Sequence, residues 1–286
     1  MIEERIDEIL SRIEESRVKD AKHVNMFIDT MNLIRNDGFC KKHVEEFSVS
    51  KNKYYDRESM NFDHPRRYYS TNVRVTPSDS FFEAERCKKD GGSVCVLNFA
   101  SQWTPGGGVL SGWTAQEESL CQTSTLYLNL SCEEAYENFY IKNRKEKNSI
   151  GADKMIYSPD VVVFKDMHGG LMELPILVDV ITCAAPDLRK TDISNDELRS
   201  VLHDRYSFIL QAAYNNNVAD VVLGAYGCGV FKNDPQLCAE VWNEVIDEYA
   251  GCFRNICFPM FSYNSKNFDI FFKEICLKNS ANGNYE

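Results

Sequence analysis

Two neighbouring carboxylates, Glu117 and Glu118, stand seven residues and one glutamine (Gln116) beyond three consecutive glycines at 106–108. Paired carboxyl groups suit acid–base chemistry. Burial and a like-charged neighbour raise the pKa of a carboxyl group, so that it can give a proton to a leaving oxygen and later take one from water. Consecutive glycines leave the main chain without Cβ obstruction, open to close approach by a polar ligand. Asn98 ends the apolar run 94–97 just upstream and brings a side-chain amide to the same stretch. A second glycine-rich stretch, residues 224–231 (G-A-Y-G-C-G-V-F), leaves the apolar run 221–223 and is followed by N-D-P at 233–235. Glycine loops beside helix N-termini hold phosphates with main-chain amides. Singly, each of these features is a common turn or cap; their combination carries the information. No Gly-Lys-Ser/Thr follows either loop, which excludes a Walker site.

The elements that must position these residues are legible from periodicity. The run 94–97 predicts a short buried strand that breaks at Pro105, and Leu120, Ser124 and Tyr127 fall at near-helical spacing, which puts both glutamates in a helix's first turn. Around them the pattern predicts strands at 73–75, 161–164, 176–181, 221–223 and 256–258, with residues 157–160 leading into the second of these. Helices are predicted from 78 to about 88, over 132–145 and 195–217, from 235 to 249, and over 266–277, with a hairpin turn at 166–170 and a frayed polar end at 279–286. Strands alternating with helices predict an α/β sandwich with a largely parallel sheet. In such sheets ligands lie at the carboxyl ends of strands, so the two glycine loops are expected to line one crevice. Residues 1–35 predict one or two amphipathic helices, and the polar, tyrosine-rich 48–70 a loop or linker. The expected division is therefore an N-terminal helical extension and linker over 1–70 and a catalytic domain over 71–286.

The 286 residues are 43% hydrophobic and 26% charged, as in an ordinary globular protein. No run approaches the roughly 18–20 apolar residues of a membrane span, and the acidic, helical start does not resemble a secretory signal, so an intracellular protein is expected. Eleven cysteines include no C-x-x-C pair, and the five histidines lack ligand spacing. Reduced, mostly buried thiols are expected rather than a zinc site. The formal net charge of −11, with basic residues interspersed among acids, argues against binding duplex nucleic acid. His64, Arg66 and Arg67 read as a surface loop and His168 as a turn residue.

The pattern G-G-G, seven residues, Q-E-E resembles the signature of the microbial (bacterial-type) poly(ADP-ribose) glycohydrolases. The flanks agree: N-F-A-S at 98–101, Pro105 before the glycines, and Ala115 before Gln116. Trp113 departs from the family pattern, which has a small residue after the glycine. The stretch 224–235 is similar to the family's second ligand loop, G-A-x-G-C-G-V-F-x-N-D-P, and T-C-A-A-P at 182–186 to a pocket-lining segment. The resemblance implies a macrodomain-like α/β/α sandwich with a mixed, largely parallel central sheet. It also implies hydrolysis of the ribose–ribose O-glycosidic bond, with Glu118 as general acid/base, Glu117 as the orienter of the distal ribose, and Gln116 and Asn98 beside it. The diphosphate would be held by Gly107, Gly108, Gly227, Cys228, Gly229, Val230 and Phe231. No metal or redox cofactor is required, and the expected partner is ADP-ribose or its polymer on modified proteins, bound by a monomer. Two alternatives stand beside this reading: cleavage of another ADP-ribosyl linkage, to protein or nucleic acid, and a non-catalytic ADP-ribose-binding module. The intact acid pair weighs against the module.

Overall fold

The structure, a computed structural model, describes residues 2–151, 153–261 and 265–277. The expectation for 279–286 lies outside the described residues. Seven strands form one sheet: β1 (Lys53–Asp56), β2 (Asn72–Thr76), β3 (Val94–Phe99), β4 (Lys154–Lys165), β5 (Leu171–Cys183), β6 (Asp220–Val222) and β7 (Asn255–Pro259), in the order β1-β4-β5-β3-β6-β7-β2. The pairs β3–β6, β6–β7 and β7–β2 are parallel. Parallel neighbours need crossovers, which helices supply, and this is the mixed α/β class expected. No helix among the described residues is long and apolar enough to cross a membrane.

Contacts divide the chain into two units: residues 1–54, 98–146 and 156–182, and residues 55–97, 147–155 and 183–286. This division does not fall at the 70/71 boundary expected from composition. In the first unit, α1 (Ile2–Glu14) buries Ile2, Ile6, Ile9 and Ile13, one stripe at helical spacing. Its successor α2 (Ala21–Asn36) is capped by Asp20, whose carboxylate accepts from Lys22 N, and buries Val24, Phe27, Met31 and Ile34. The Lys165 ammonium on β4, 1% exposed, donates to Asp29 Oδ2 at 2.7 Å and Thr30 Oγ1 at 2.8 Å on α2. Thr30 Oγ1 in turn donates to Gln122 O, so α2 is tied both to the sheet and to the helix carrying the acid pair.

The second unit packs the helices Ser80–Lys89, Asn195–Asn215 and Pro235–Glu248 with β2, β6 and β7. Asp79 caps the first of these through Phe81 N and Phe82 N, and a Ser194–Glu197 capping box starts the second. Trp242 stacks on Tyr206 with ring centres 3.7 Å apart, and both are fully buried.

Two expectations are corrected here. Residues 53–56, read as linker, form the edge strand β1; four residues with no buried side chain carry too little periodicity to announce a strand. Residues 157–160, read as a lead-in, are the middle of β4, although Pro159 and a positive φ of 50° at Asp160 look locally like a break. The irregularity is held across the sheet by Asp179, which accepts from Asp160 N at 3.0 Å and from the Tyr157 hydroxyl. The hairpin turn at 166–170 forms as expected, closed by Asp166 N donating to Gly170 O at 2.8 Å.

Candidate active site

Strand β3 runs as a fully buried stretch to Asn98 and then opens into the glycine loop. The chain re-enters regular structure at Gln116–Thr123, a helix whose N-cap, Ala115, offers no side-chain acceptor. Glu117 and Glu118, in its first turn, stand at the positive end of its dipole. Both are buried: Glu117 is 3% exposed and Glu118 7%.

Glu117 is held from two sides. Asn98 Nδ2 donates to its Oε1 at 3.3 Å and Ser101 N to its Oε2 at 2.7 Å. Burial is the largest influence on this carboxyl and pushes its pKa up to about 8; the neighbouring Glu118 adds to the rise, while the hydrogen bonds from Ser101, Asn98 and Gly106 oppose it. Glu118 Oε1 accepts from Gly108 N at 2.8 Å. Gly107 shows why the loop needs glycine. Its φ is +58°, and a Cβ there would lie 2.4 Å from Glu118 Oε1 and 3.1 Å from Glu117 Oε2.

Asn98 Nδ2 also donates to Thr182 Oγ1 at 3.2 Å, while Asn98 Oδ1 is buried without a protein partner. An unsatisfied buried carbonyl is costly unless a ligand or water donates to it, so Asn98 Oδ1 is an open acceptor beside the acid pair. Gln116 is used differently: its Oε1 accepts from Phe99 N at 2.9 Å, joining the strand end to the helix start. Gly107 N donates to Thr104 O, and Gly108 N is taken by Glu118. A diphosphate contact from either amide would therefore require one of these bonds to be exchanged.

The second glycine stretch lies in the other unit. Asn233 Nδ2 bridges Pro186 O at 2.8 Å and Gly227 O at 3.0 Å, which fastens the loop to the segment following β5. Cys228 N donates to Ala225 O, but the amides of Gly229, Val230 and Phe231 donate to no protein acceptor among the described residues. The Arg189 guanidinium lies 5.3 Å from the Phe231 ring centre and pairs with Asp187 through two bonds of 2.8 and 2.6 Å. The Arg189 charge is thus matched by Asp187, in the same unit as three amides that make no protein hydrogen bond among the described residues.

Sequence reasoning missed Ser101, which acts through its main chain and so has no side-chain signature. It also missed Arg189, an ordinary exposed arginine in the sequence, and the part α2 takes behind the acid helix. His64 and Arg67 are structural. His64 stacks on Tyr249 at 4.0 Å, and Arg67 donates to Tyr214 O at 2.8 Å. All eleven cysteines are free thiols, and only Cys228 and Cys276 are partly exposed. Among the described residues one group, Glu83, Cys87 and Cys257, has metal-ligand spacing. The Arg74 guanidinium already donates to Glu83 Oε1 at 2.7 Å and Cys87 Sγ at 3.1 Å, so a cation stands there.

A buried carboxyl pair behind a glycine loop, on a mixed α/β sheet, is an arrangement suited to acid–base chemistry on a polar ligand. The family described as microbial-type PARG, catalytic domain, matches residues 29–166. The poly(ADP-ribose) glycohydrolase of Deinococcus radiodurans in complex with ADP-ribose is similar at 31% identity and a TM-score of 0.73, covering 80% of this chain and 96% of that one. The Thermomonospora curvata enzyme bound to the inhibitor ADP-HPD is similar at 29% identity and a TM-score of 0.78, with coverage of 89% and 99%. No curated protein matches the chain. The chain belongs to the microbial-type poly(ADP-ribose) glycohydrolases.

Proposed function

We propose that this chain hydrolyses the ribose–ribose O-glycosidic bonds of poly(ADP-ribose), releasing ADP-ribose, with Glu118 as the general acid and base. The observation that carries the division of labour is the unequal anchoring of the two carboxyls. Glu117 accepts donors on both oxygens and is the more buried. It is a fixed group, suited to hydrogen-bonding a ribose hydroxyl. Glu118 takes one main-chain donor, from Gly108. In the first half of the reaction Glu118 gives its proton to the departing ribose oxygen as the glycosidic bond breaks. The carboxylate left behind then removes a proton from the water that adds to the oxocarbenium-like carbon, which restores the acid. The orphaned Asn98 Oδ1 accepts from the ribose held there. The free amides of Gly229, Val230 and Phe231, next to Arg189, suit the diphosphate.

The same reading takes the polymer on modified proteins as the partner rather than duplex nucleic acid, in keeping with the net charge of −11, and has the protein act inside the cell as a monomer. The deciding experiment incubates wild type and Glu118→Gln with poly(ADP-ribosyl)ated protein and quantifies free ADP-ribose. Removing a general acid/base is expected to lower kcat by about 10²- to 10⁴-fold, while ADP-ribose still binds. Tight ADP-ribose binding with no release by the wild type would reject polymer hydrolysis.

A further inference from the structure

The glycine loop has few side chains with which to fix itself, and yet Gly108 N must stay within hydrogen-bond reach of Glu118. The restraint comes from the turn between α1 and α2. Lys19 N donates to Ser111 O at 2.8 Å, and Asp20 N reaches the same oxygen at 3.4 Å. The Ser16 hydroxyl lies 2.8 Å from Ile13 O and 2.9 Å from Leu110 O, so its one proton is shared between the turn and the loop. The approach is close: a Cβ on Gly112 would stand 2.2 Å from Asp20 O. Beyond the main chain, the Lys19 ammonium sits 3.3 Å from the centre of the Trp113 ring, which is 49% exposed.

Trp113 passes the restraint inward. Its N–H donates to Gly108 O at 3.2 Å, its carbonyl accepts from Gln122 Nε2 at 3.2 Å, and its ring lies so close that a Cβ on Gly108 would be 2.4 Å from Trp113 Cδ1. Gly108 N then donates to Glu118 Oε1 at 2.8 Å. A continuous path of contacts therefore runs from Ser16 and Lys19 through 110–113 to the acid. The turn is anchored on its far side, because Asp20 caps α2. Trp113 is also the position at which the signature departs from the family pattern.

We propose that residues 16–20 are a clamp on the catalytic loop, and that Ser16 and Lys19 are positioning residues acting on Glu118 through Trp113 and Gly108. The proposal rests on Glu118 as the acid/base of the polymer-cleaving reaction. Small displacements of a catalytic group lower the rate without weakening substrate binding, so the effect belongs in kcat.

The test measures kcat and KM for ADP-ribose release from poly(ADP-ribosyl)ated protein by wild type, Ser16→Ala, Ser16→Thr and Lys19→Met, with thermal unfolding of each. Ser16→Ala and Lys19→Met are expected to lower kcat about three- to tenfold with KM within about twofold, and Ser16→Thr to restore it. Should Ser16→Ala not fold, Lys19→Met decides alone, since it changes an exposed side chain. Wild-type kcat in the folded variants, or a loss in KM alone, would overturn the clamp and leave the glycohydrolase reading intact. No release by the wild type would overturn both.

Discussion

At Glu117 a carboxyl group whose ordinary pKa is 4.5 keeps its proton to about 8, and burial is the chief cause. The sign of the linkage follows. Between these two values the folded protein holds a proton that the unfolded chain has released, so stability falls as pH rises through that window. Glutamine has the shape of the protonated acid and cannot ionise. Wild type is therefore expected to lose more of its melting temperature between pH 5 and pH 8 than Glu117→Gln, as measured by calorimetry in matched buffers; parallel slopes would mean that Glu117 ionises as freely folded as unfolded. The carboxyl pair, the glycines and Asn98 were legible because their types are distinctive and close in sequence. Which carboxyl is anchored was not, since that depends on Ser101 N and on the direction of the Asn98 amide.

The glycine loop and the helix behind it act as one element, because Gly107 lies against both carboxylates. Gly107→Ala brings a Cβ to 2.4 Å from Glu118 Oε1 at a φ of +58° that alanine adopts with strain. Left-handed strain costs about 1–3 kcal/mol, and relief comes most directly by moving Glu118. The variant is expected to show lower thermal stability together with a kcat loss of about tenfold or more; a kcat equal to wild type would show that the acid tolerates displacement. The three glycines announce that the loop is unusual. That Gly108 N donates to the Glu118 carboxylate is known only from the folded loop.

On the scale of the molecule, α1 and α2 are a structural part of the unit that carries the acids. They bury Ile2, Ile6, Ile9, Ile13, Val24, Phe27, Met31 and Ile34, and each such side chain contributes roughly 1.5–3 kcal/mol. Deleting the two helices also removes the cost of ordering residues 2–36, but it leaves the apolar surface that they cover on the rest of the unit facing water. Deleting residues 1–36 is expected to abolish cooperative unfolding and ADP-ribose release. A truncated chain that melts cooperatively and retains activity would show that the acid-bearing unit stands without α1 and α2.

The strand–helix alternation, the buried strand ending at Asn98, the acid pair in a first helical turn and the family itself were all determined by sequence, because each is a local pattern read over a few neighbouring residues. The edge strand β1, the continuous β4 across Pro159 and Asp160, and the joining of α2 to Lys165 and Gln122 were decided only in three dimensions. Each depends on partners more than 90 residues away or on Asp179 of the next strand. Local patterns record what a segment can form; which donor reaches Glu117, and which turn steadies the loop beside Glu118, depends on where distant segments come to rest.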